Sequence, residues 1–352
     1  MKSVLIVYNT IQHYREDFFE ELGKRYNLTV LHSGEYNLKA NNYKQVVAKK
    51  LEIGPFTYQF GVVVELFRGN YDSVIFLFNV AWLSNLSGML FSLAKARTIL
   101  WGAWYTKSAL ANKARLIFSK LADANIFYSP CAYRDFTDAG LPKKKAYVAN
   151  NTFKVITTIH DSEVGRNNLL FVGSLDKRKE LCVVLDALSE IKEKLPEGMC
   201  FTVIGDGAES AVLKEKVLSL GLTERVAFLG RIQDGQQLET HYLRAFASIS
   251  YGQAGLSVLQ SLGYGVPFIT KVNAVSGGEI ENIKDGLNGY LVNDKNELKD
   301  KILDMATNKA LARKLSNQSR EYYCTYCTVD NMVQGFCDAI ECTNRANVDF
   351  SI

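Results

Sequence analysis

Short apolar runs alternate with longer amphipathic stretches along the whole of this 352-residue chain. The runs read as strands at 4–8, 28–31, 74–78, 98–101, 124–128 and 146–148, and again at 169–172, 200–204, 226–228, 247–250, 267–269 and 289–292. Helical patterns lie between them, at 15–25 and 109–121 in the first half and at 180–194, 209–220, 236–245 and 256–263 in the second. Two further helices, at about 308–324 and 328–343, close the chain. Strands that are apolar on both faces and separated by helices need cover on both sides, which is the requirement of a parallel, doubly wound sheet. A mixed polar and β-branched stretch, 151–168, interrupts the alternation once. The pattern therefore predicts an α/β protein of two Rossmann-like doubly wound parallel-sheet domains, 1–152 and 168–327, with the helix at about 328–352 free to pack back on the first. Ligands of such sheets bind beyond the carboxyl ends of the strands, so two of them facing each other would enclose a central cleft suited to a nucleotide.

Composition narrows the partners. The chain is 47% hydrophobic and 22% charged, with only 5 prolines, which is ordinary for a globular protein. A net charge of +4 is too small to argue for nucleic acid. Residues 73–94 carry no charge, but Asn79, Ser84, Asn85, Ser87, Gly88 and Ser92 are scattered through them. A buried strand, a turn and a helix fit that stretch better than a membrane span. The apolar run 4–7 is cut short by Asn9 and Gln12, too soon for a secretory segment, so a cytoplasmic location is expected. The seven cysteines then read as free thiols. Cys324 and Cys327 have metal-like spacing, but Cys337 and Cys342 lack the matching pair geometry, so neither a metal nor a cofactor is expected.

Four segments of the second half carry chemistry. Gly173-Ser174-Leu175-Asp176-Lys177-Arg178-Lys179 follows a strand and opens a helix, where free N–H groups and three consecutive cations suit a phosphate. Basic residues oppose the dipole of a helix N-terminus, so structure alone gives them little reason to be there. Gly205 and Gly207 form a second strand-to-helix turn, and Arg231 follows a third strand. The loop from Tyr251 to Gly255 leads into a helix through Leu256 and Ser257, and Gln260 one turn later can hydrogen-bond ribose hydroxyls. Gly277 and Gly278 precede Glu279 and Glu281, whose carboxylates could take sugar hydroxyls, or could simply favour a helix start.

The first half offers less. His13, Tyr14 and Arg15 follow the first strand, and Trp104 follows a later one in Trp101-Gly102-Ala103-Trp104-Tyr105, where aromatic rings suit a sugar acceptor. The helix beginning near Lys107 carries Lys113, Arg115 and Lys120, with Leu110, Ala114, Ile117, Phe118 and Leu121 on its other face. A basic amphipathic helix suits an anionic lipid surface, although packing of the apolar face on its own domain is the commoner use.

In this order the segments resemble glycosyltransferase family 4, of the GT-B fold. The resemblance rests on Phe171-Val-Gly-Ser-Leu with Lys179, Val203-Ile-Gly-Asp-Gly, Val226-Ala-Phe-Leu-Gly, Gly255-Leu, Gly265-Val-Pro, Gly277-Gly278 and Asp285-Gly-Leu-Asn-Gly. The opening Gln12-His-Tyr-Arg-Glu-Asp-Phe-Phe is similar to a subset that builds bacterial surface polysaccharides. The resemblance implies retaining transfer of a hexose from a nucleotide-sugar donor to a saccharide acceptor carried on a lipid diphosphate, with peripheral contact to the membrane. Lys179 would steady the donor diphosphate, and Gly255 to Ser257 would supply backbone donors.

Three departures are visible. The family's arginine two residues into the first motif is Ser174 here, with Arg178 nearby to compensate. Its E-x7-E carboxylates fall on Gly252 and Gln260, leaving Glu279 as the expected replacement. Its acceptor-side histidine falls on Ala103. These losses also fit a catalytically inactive relative that binds a nucleotide sugar or a partner enzyme. A nicotinamide dehydrogenase would need G-x-G-x-x-G where this chain has Asn9-Thr10-Ile11-Gln12.

Overall fold

The computed structural model describes residues 1–106, 108–155 and 165–343. Two compact domains partition the chain: Met1–Thr152 with Thr328–Ile352, and Phe153–Cys327.

The first domain runs β1 (Ser3–Val7), α1 (His13–Gly23), β2 (Asn27–His32), β3 (Tyr43–Val47), β4 (Lys50–Ile53), β5 (Phe56–Gln59), α2 (Val62–Arg68), β6 (Ser73–Leu77), α3 (Leu83–Ser92), β7 (Arg97–Trp101), α4 (Ala109–Leu121), β8 (Ala124–Phe127), α5 (Pro130–Asp138) and β9 (Ala146–Val148). Seven strands form one parallel sheet in the order β3-β2-β1-β6-β7-β8-β9, while β4 and β5 make a separate antiparallel hairpin. The alternation of side chains along β1 explains the two faces. Val4 and Ile6 pack with Phe18, Phe19 and Leu22 of α1, whereas Leu5 and Val7 pack with Val62, Leu66 and Met89 of α2 and α3. The uncharged run 73–94 is β6 followed by α3, and among the described residues no helix is long and apolar enough to cross a membrane.

The second domain runs β10 (Asn168–Val172), α6 (Leu181–Ile191), β11 (Cys200–Ile204), α7 (Ser210–Ser219), β12 (Val226–Gly230), α8 (Gly235–Leu243), β13 (Ala245–Ile249), β14 (Gln253–Ala254), α9 (Ser257–Gly263), β15 (Phe268–Lys271), β16 (Val275–Ser276), β17 (Gly289–Val292), α10 (Lys295–Thr307) and α11 (Lys309–Tyr326). Its six-stranded parallel sheet has the order β12-β11-β10-β13-β15-β17. Strand order reverses between β10 and β13, so the loops after these two strands flank the switch point.

The last helix, α12 (Val329–Glu341), starts at a Thr328–Asn331 capping box and belongs to the first domain. Its Met332, Val333 and Phe336 cover the α1 side of that sheet. The two buried cysteines lie in separate cores. Cys327 is buried in the second domain and donates to Asn282 Oδ1 at 3.4 Å, while Cys337 packs in the core of the first. Among the described residues no three His, Cys, Asp or Glu side chains gather as metal ligands.

Helix α4 departs from the commoner expectation for its apolar face. The side it buries holds Arg115 and Ser119. Arg115 donates to Thr106 Oγ1 and Asn112 Oδ1, both at 3.3 Å. Leu110, Ile117 and Leu121 instead face solvent, at 81%, 59% and 49% exposure. Only part of the expected stripe is turned outward, because Phe118, with Leu116, packs against the core of the domain. Lys107, expected at its start, lies outside the described residues.

Candidate active site

The second domain gathers its chemistry around the switch point. After β10 the chain turns through Gly173 to a single 3-10 turn, Lys177–Lys179, capped by the Asp176 side chain, which accepts from Arg178 N at 3.0 Å. Asp176 also accepts Ser174 Oγ at 2.8 Å and holds the Arg178 guanidinium through Nε and Nη2, each at 3.1 Å. The guanidinium keeps the Asp176 carboxyl below its ordinary range. Ser174 and Arg178 are therefore both tied to Asp176, with Arg178 on the exposed side.

Lys179 is different. It is 8% exposed, and among the described residues its ammonium makes no ion pair or side-chain hydrogen bond. The amine returns toward Gly173, where a Cβ would lie 3.9 Å from Nζ. Burial pulls its pKa below the ordinary value, against the pull of Asp176 and then Glu279, with Arg178 adding to the depression. A buried cation with no directly paired carboxylate is costly, and an anion at close range relieves the cost.

The neighbouring loops are stitched to this turn. Gly252 N–H donates to Lys179 O at 3.0 Å, Val275 N–H to Gly252 O at 2.9 Å, and Lys271 N–H to Tyr251 O at 3.1 Å. The short parallel pair β14–β16 continues the join. Gly255 has open space where a Cβ would stand, and the N–H groups of Gly255, Leu256 and Ser257 reach no main-chain acceptor among the described residues. Gln260, further along α9, is buried, and its Oε1 accepts from Tyr242 OH at 3.3 Å.

Several expected donors of N–H groups are already engaged. Gly173 N–H bonds Ile204 O at 3.0 Å, Gly205 N–H bonds Gly230 O at 2.8 Å, and Gly207 N–H bonds Asp206 Oδ1 at 2.8 Å. The reason for glycine here is close packing of one loop on another. A Cβ on Gly205 would meet Gly173 O at 1.8 Å, and one on Gly207 would meet Leu175 O at 2.4 Å. These two glycines build the turn that carries Lys179, instead of offering N–H groups to a phosphate.

The N–H groups of Gly277 and Gly278 are engaged as well. Gly277 N–H donates to Glu279 Oε2 at 3.0 Å and Gly278 N–H to Ser276 Oγ at 3.1 Å, so the turn closes on itself. Glu279 is 7% exposed, and one of its oxygens is used inside that turn. Glu281 is half-buried on the side of Tyr322, whose pKa is raised mainly by burial and slightly by Glu281. Arg231 is exposed and makes no ion pair among the described residues.

In the first domain, His13 and Trp104 are exposed beyond the carboxyl ends of β1 and β7, and Tyr14 stands edge-on to His13 at 5.6 Å. Arg15 does not join them. It is 2% exposed, its Nη2 donates to Asn151 Oδ1 at 2.6 Å, and its guanidinium stacks near Tyr14, Trp101 and Tyr128 at 5.3–5.5 Å. It joins α1 to the sheet and to Met332 of α12, a packing role in place of the expected acceptor contact.

Residues 154–322 match the family model described as glycosyl transferases group 1. The matched residues span most of the second domain. Its sequence is similar to a Campylobacter jejuni enzyme named as an α-1,4-N-acetyl-D-galactosaminyltransferase acting on an undecaprenol-diphosphate-linked saccharide, 32% identical over 165 residues, 46% of this chain and 45% of the relative. It is also similar to the N-acetyl-α-D-glucosaminyl L-malate synthase of Bacillus anthracis, 27% identical over 156 residues, 44% of this chain and 39% of that enzyme. The alignments thus span less than half the length of these curated relatives. Over nearly the whole chain the fold is that of the Anabaena protein HepE solved with UDP, at TM-score 0.75 and 17% identity, covering 97% of this chain and 100% of that one. The lipopolysaccharide outer core galactosyltransferase WaaB matches at TM-score 0.71 and 16% identity, over 96% and 99%. The architecture is therefore GT-B, two Rossmann-like domains of parallel sheet flanked by helices.

Sequence reading passed over one group that the geometry brings into this region. Glu180, expected as the first residue of a helix, is in the left-handed conformation at φ 52 and stands beside Gly252. Its only sequence signal was adjacency to Lys179.

Proposed function

We propose that this chain is a glycosyltransferase that moves a hexose from a nucleotide-sugar donor to a saccharide acceptor, with retention, in the building of a surface polysaccharide. The observation that carries the reading is Lys179, a buried ammonium that makes no ion pair among the described residues, beside the switch point of the domain that matches the group 1 model. A donor diphosphate supplies the missing negative charge. As the sugar–phosphate bond breaks, charge grows on the leaving diphosphate, and a fixed cation already stripped of water stabilises it more than it stabilises the ground state. The unengaged N–H groups of Gly255, Leu256 and Ser257 add donors on the other side of the switch point. Gln260 is the expected ribose contact and Arg231 lies near the expected base. Glu279 acts on Lys179 through its charge. His13, Tyr14 and Trp104 are the acceptor-side candidates. The named activities of the similar Campylobacter jejuni enzyme and of WaaB support a saccharide acceptor, and the former a lipid diphosphate carrier.

A lipid-linked acceptor places the reaction at the cytoplasmic face of a membrane. Helix α4 supports peripheral contact there. It carries Lys113, Arg115 and Lys120 and no acidic residue, and it turns Leu110, Ile117 and Leu121 outward. Apolar side chains flanked by lysine ammonium groups fit an anionic lipid surface.

A second reading is favoured by Gly252 and Gln260, which replace two carboxylates. The chain would then bind a nucleotide sugar without turning it over. A thermal-shift panel of UDP-, GDP-, ADP- and CMP-sugars tests the shared part of both readings. Stabilisation by one donor is the expected result, and no response to any donor would overturn both.

A further inference from the structure

We infer that Glu180 is the carboxylate that reads the donor sugar, set in place by a glycine at 252. The assignment deepens the glycosyltransferase reading and rests on it. Glu180 is one of two non-glycine residues with positive φ among the described residues, at φ 52 and ψ 38, directly after the buried Lys179. That conformation is unfavourable for a residue with a side chain, and such strain persists where the surroundings impose it.

The surroundings are specific. A Cβ added to Gly252 would lie 2.7 Å from Glu180 Cγ and 2.8 Å from its Cδ. The Glu180 side chain thus runs through the volume that any side chain at 252 would need. Position 252 is where the resemblance expects the first of two carboxylates. A glutamate there is absent, and a glutamate from the adjoining loop fills its space. Lys271 Nζ holds Glu180 Oε1 at 2.6 Å. The other oxygen, Oε2, accepts no hydrogen bond among the described residues, and the side chain keeps 36% exposure. The result is an oriented carboxylate with one unoccupied oxygen, one residue from the cation assigned to the diphosphate. A carboxylate in that position can accept hydroxyl hydrogens from the transferred sugar, the group that a nucleoside diphosphate alone lacks. Glu279, the replacement expected from the sequence, is less suited, because it is 7% exposed and its Oε2 closes its own turn, whereas the Glu180 side chain keeps an exposed oxygen.

The test compares the nucleotide sugar that stabilises the wild-type protein with its own nucleoside diphosphate, by calorimetric titration of wild type, Glu180→Gln and Glu180→Gly. Glu180→Gln is expected to bind the nucleotide sugar about 10- to 100-fold more weakly, the range for a hydrogen bond to a charged group, while the nucleoside diphosphate binds as to wild type. Glu180→Gly relieves the left-handed backbone, so its thermal midpoint should hold or rise while the same discrimination is lost. Equal losses for both ligands would make Glu180 a strut for Lys179, and unchanged binding of both would remove it from the site. Either result overturns the assignment with the function intact. Wild-type protein that binds no nucleotide sugar overturns the underlying function as well.

Discussion

Replacing Lys179 with methionine should separate binding from folding in opposite directions. The side chain is 8% exposed, and burial lowers its pKa from an ordinary 10.5. The folded protein therefore holds this proton less tightly than the unfolded chain. Below the folded pKa the charged amine costs stability, and the cost is relieved as pH climbs from that value to 10.5. Each unit of depression corresponds to about 1.4 kcal/mol. Methionine keeps the bulk and removes the charge, so at pH near 7 the empty variant should be at least as stable as wild type, and the difference should shrink toward pH 10.5. Turnover should move the other way. Loss of one preorganised group facing transition-state charge typically costs roughly 100- to 1,000-fold, or about 2.7–4 kcal/mol. Urea titrations of the empty proteins across this pH range, with nucleotide release rates at saturating and limiting donor, measure both arms. A variant that turns over within a few-fold of wild type, or whose empty form is clearly less stable at neutral pH, would refute the account of Lys179 as a cation waiting for a diphosphate.

Other consequences concern the scaffold and the membrane. Gly205→Ala should destabilise the second domain by about 2 kcal/mol or more in chemical denaturation, because its Cβ would meet Gly173 O at 1.8 Å on a backbone of φ 143. Arg15→Met should lower the stability of the first domain by roughly 1–3 kcal/mol through loss of the Asn151 bond and the ring contacts, while leaving the calorimetric affinity for the donor unchanged. Leu110→Glu with Ile117→Glu should abolish co-sedimentation with vesicles rich in anionic phospholipid, and the thermal midpoint should barely move, since both side chains are already exposed.

Strands β10, β11 and β13 of the second domain were legible because both faces of each are buried, so apolarity alone marks them. The runs expected at 200–204 and 289–292 are β11 and β17 residue for residue. In the first domain β3 and the β4–β5 hairpin were missed. Apart from the buried Tyr43 and Gln59 their residues are partly or wholly exposed, so hydrophobicity gives little contrast. Helix α4 exposes a different limit. Its period is plain in the sequence, but Arg115 is buried with bonds to Thr106 and Asn112 while Leu110, Ile117 and Leu121 are exposed, and spacing does not report that. The same holds for the glycines. Gly173, Gly205 and Gly207 occur where strand-to-helix turns require them, yet whether their N–H groups face a ligand or an adjoining loop is a three-dimensional fact. Glu180 was hidden for a related reason: nothing local marks a glutamate as left-handed, and its contact with Gly252 crosses 72 positions of sequence.

The most direct test of the central claim is release of nucleoside diphosphate from the donor that binds, followed continuously with and without lipid-diphosphate-linked saccharide acceptors. The account predicts slow release from the donor alone, acceleration by an acceptor, and a new glycoside in the anomeric configuration of the donor. Tight donor binding with no release under any acceptor would contradict it and leave a chain that holds a nucleotide sugar without transferring it.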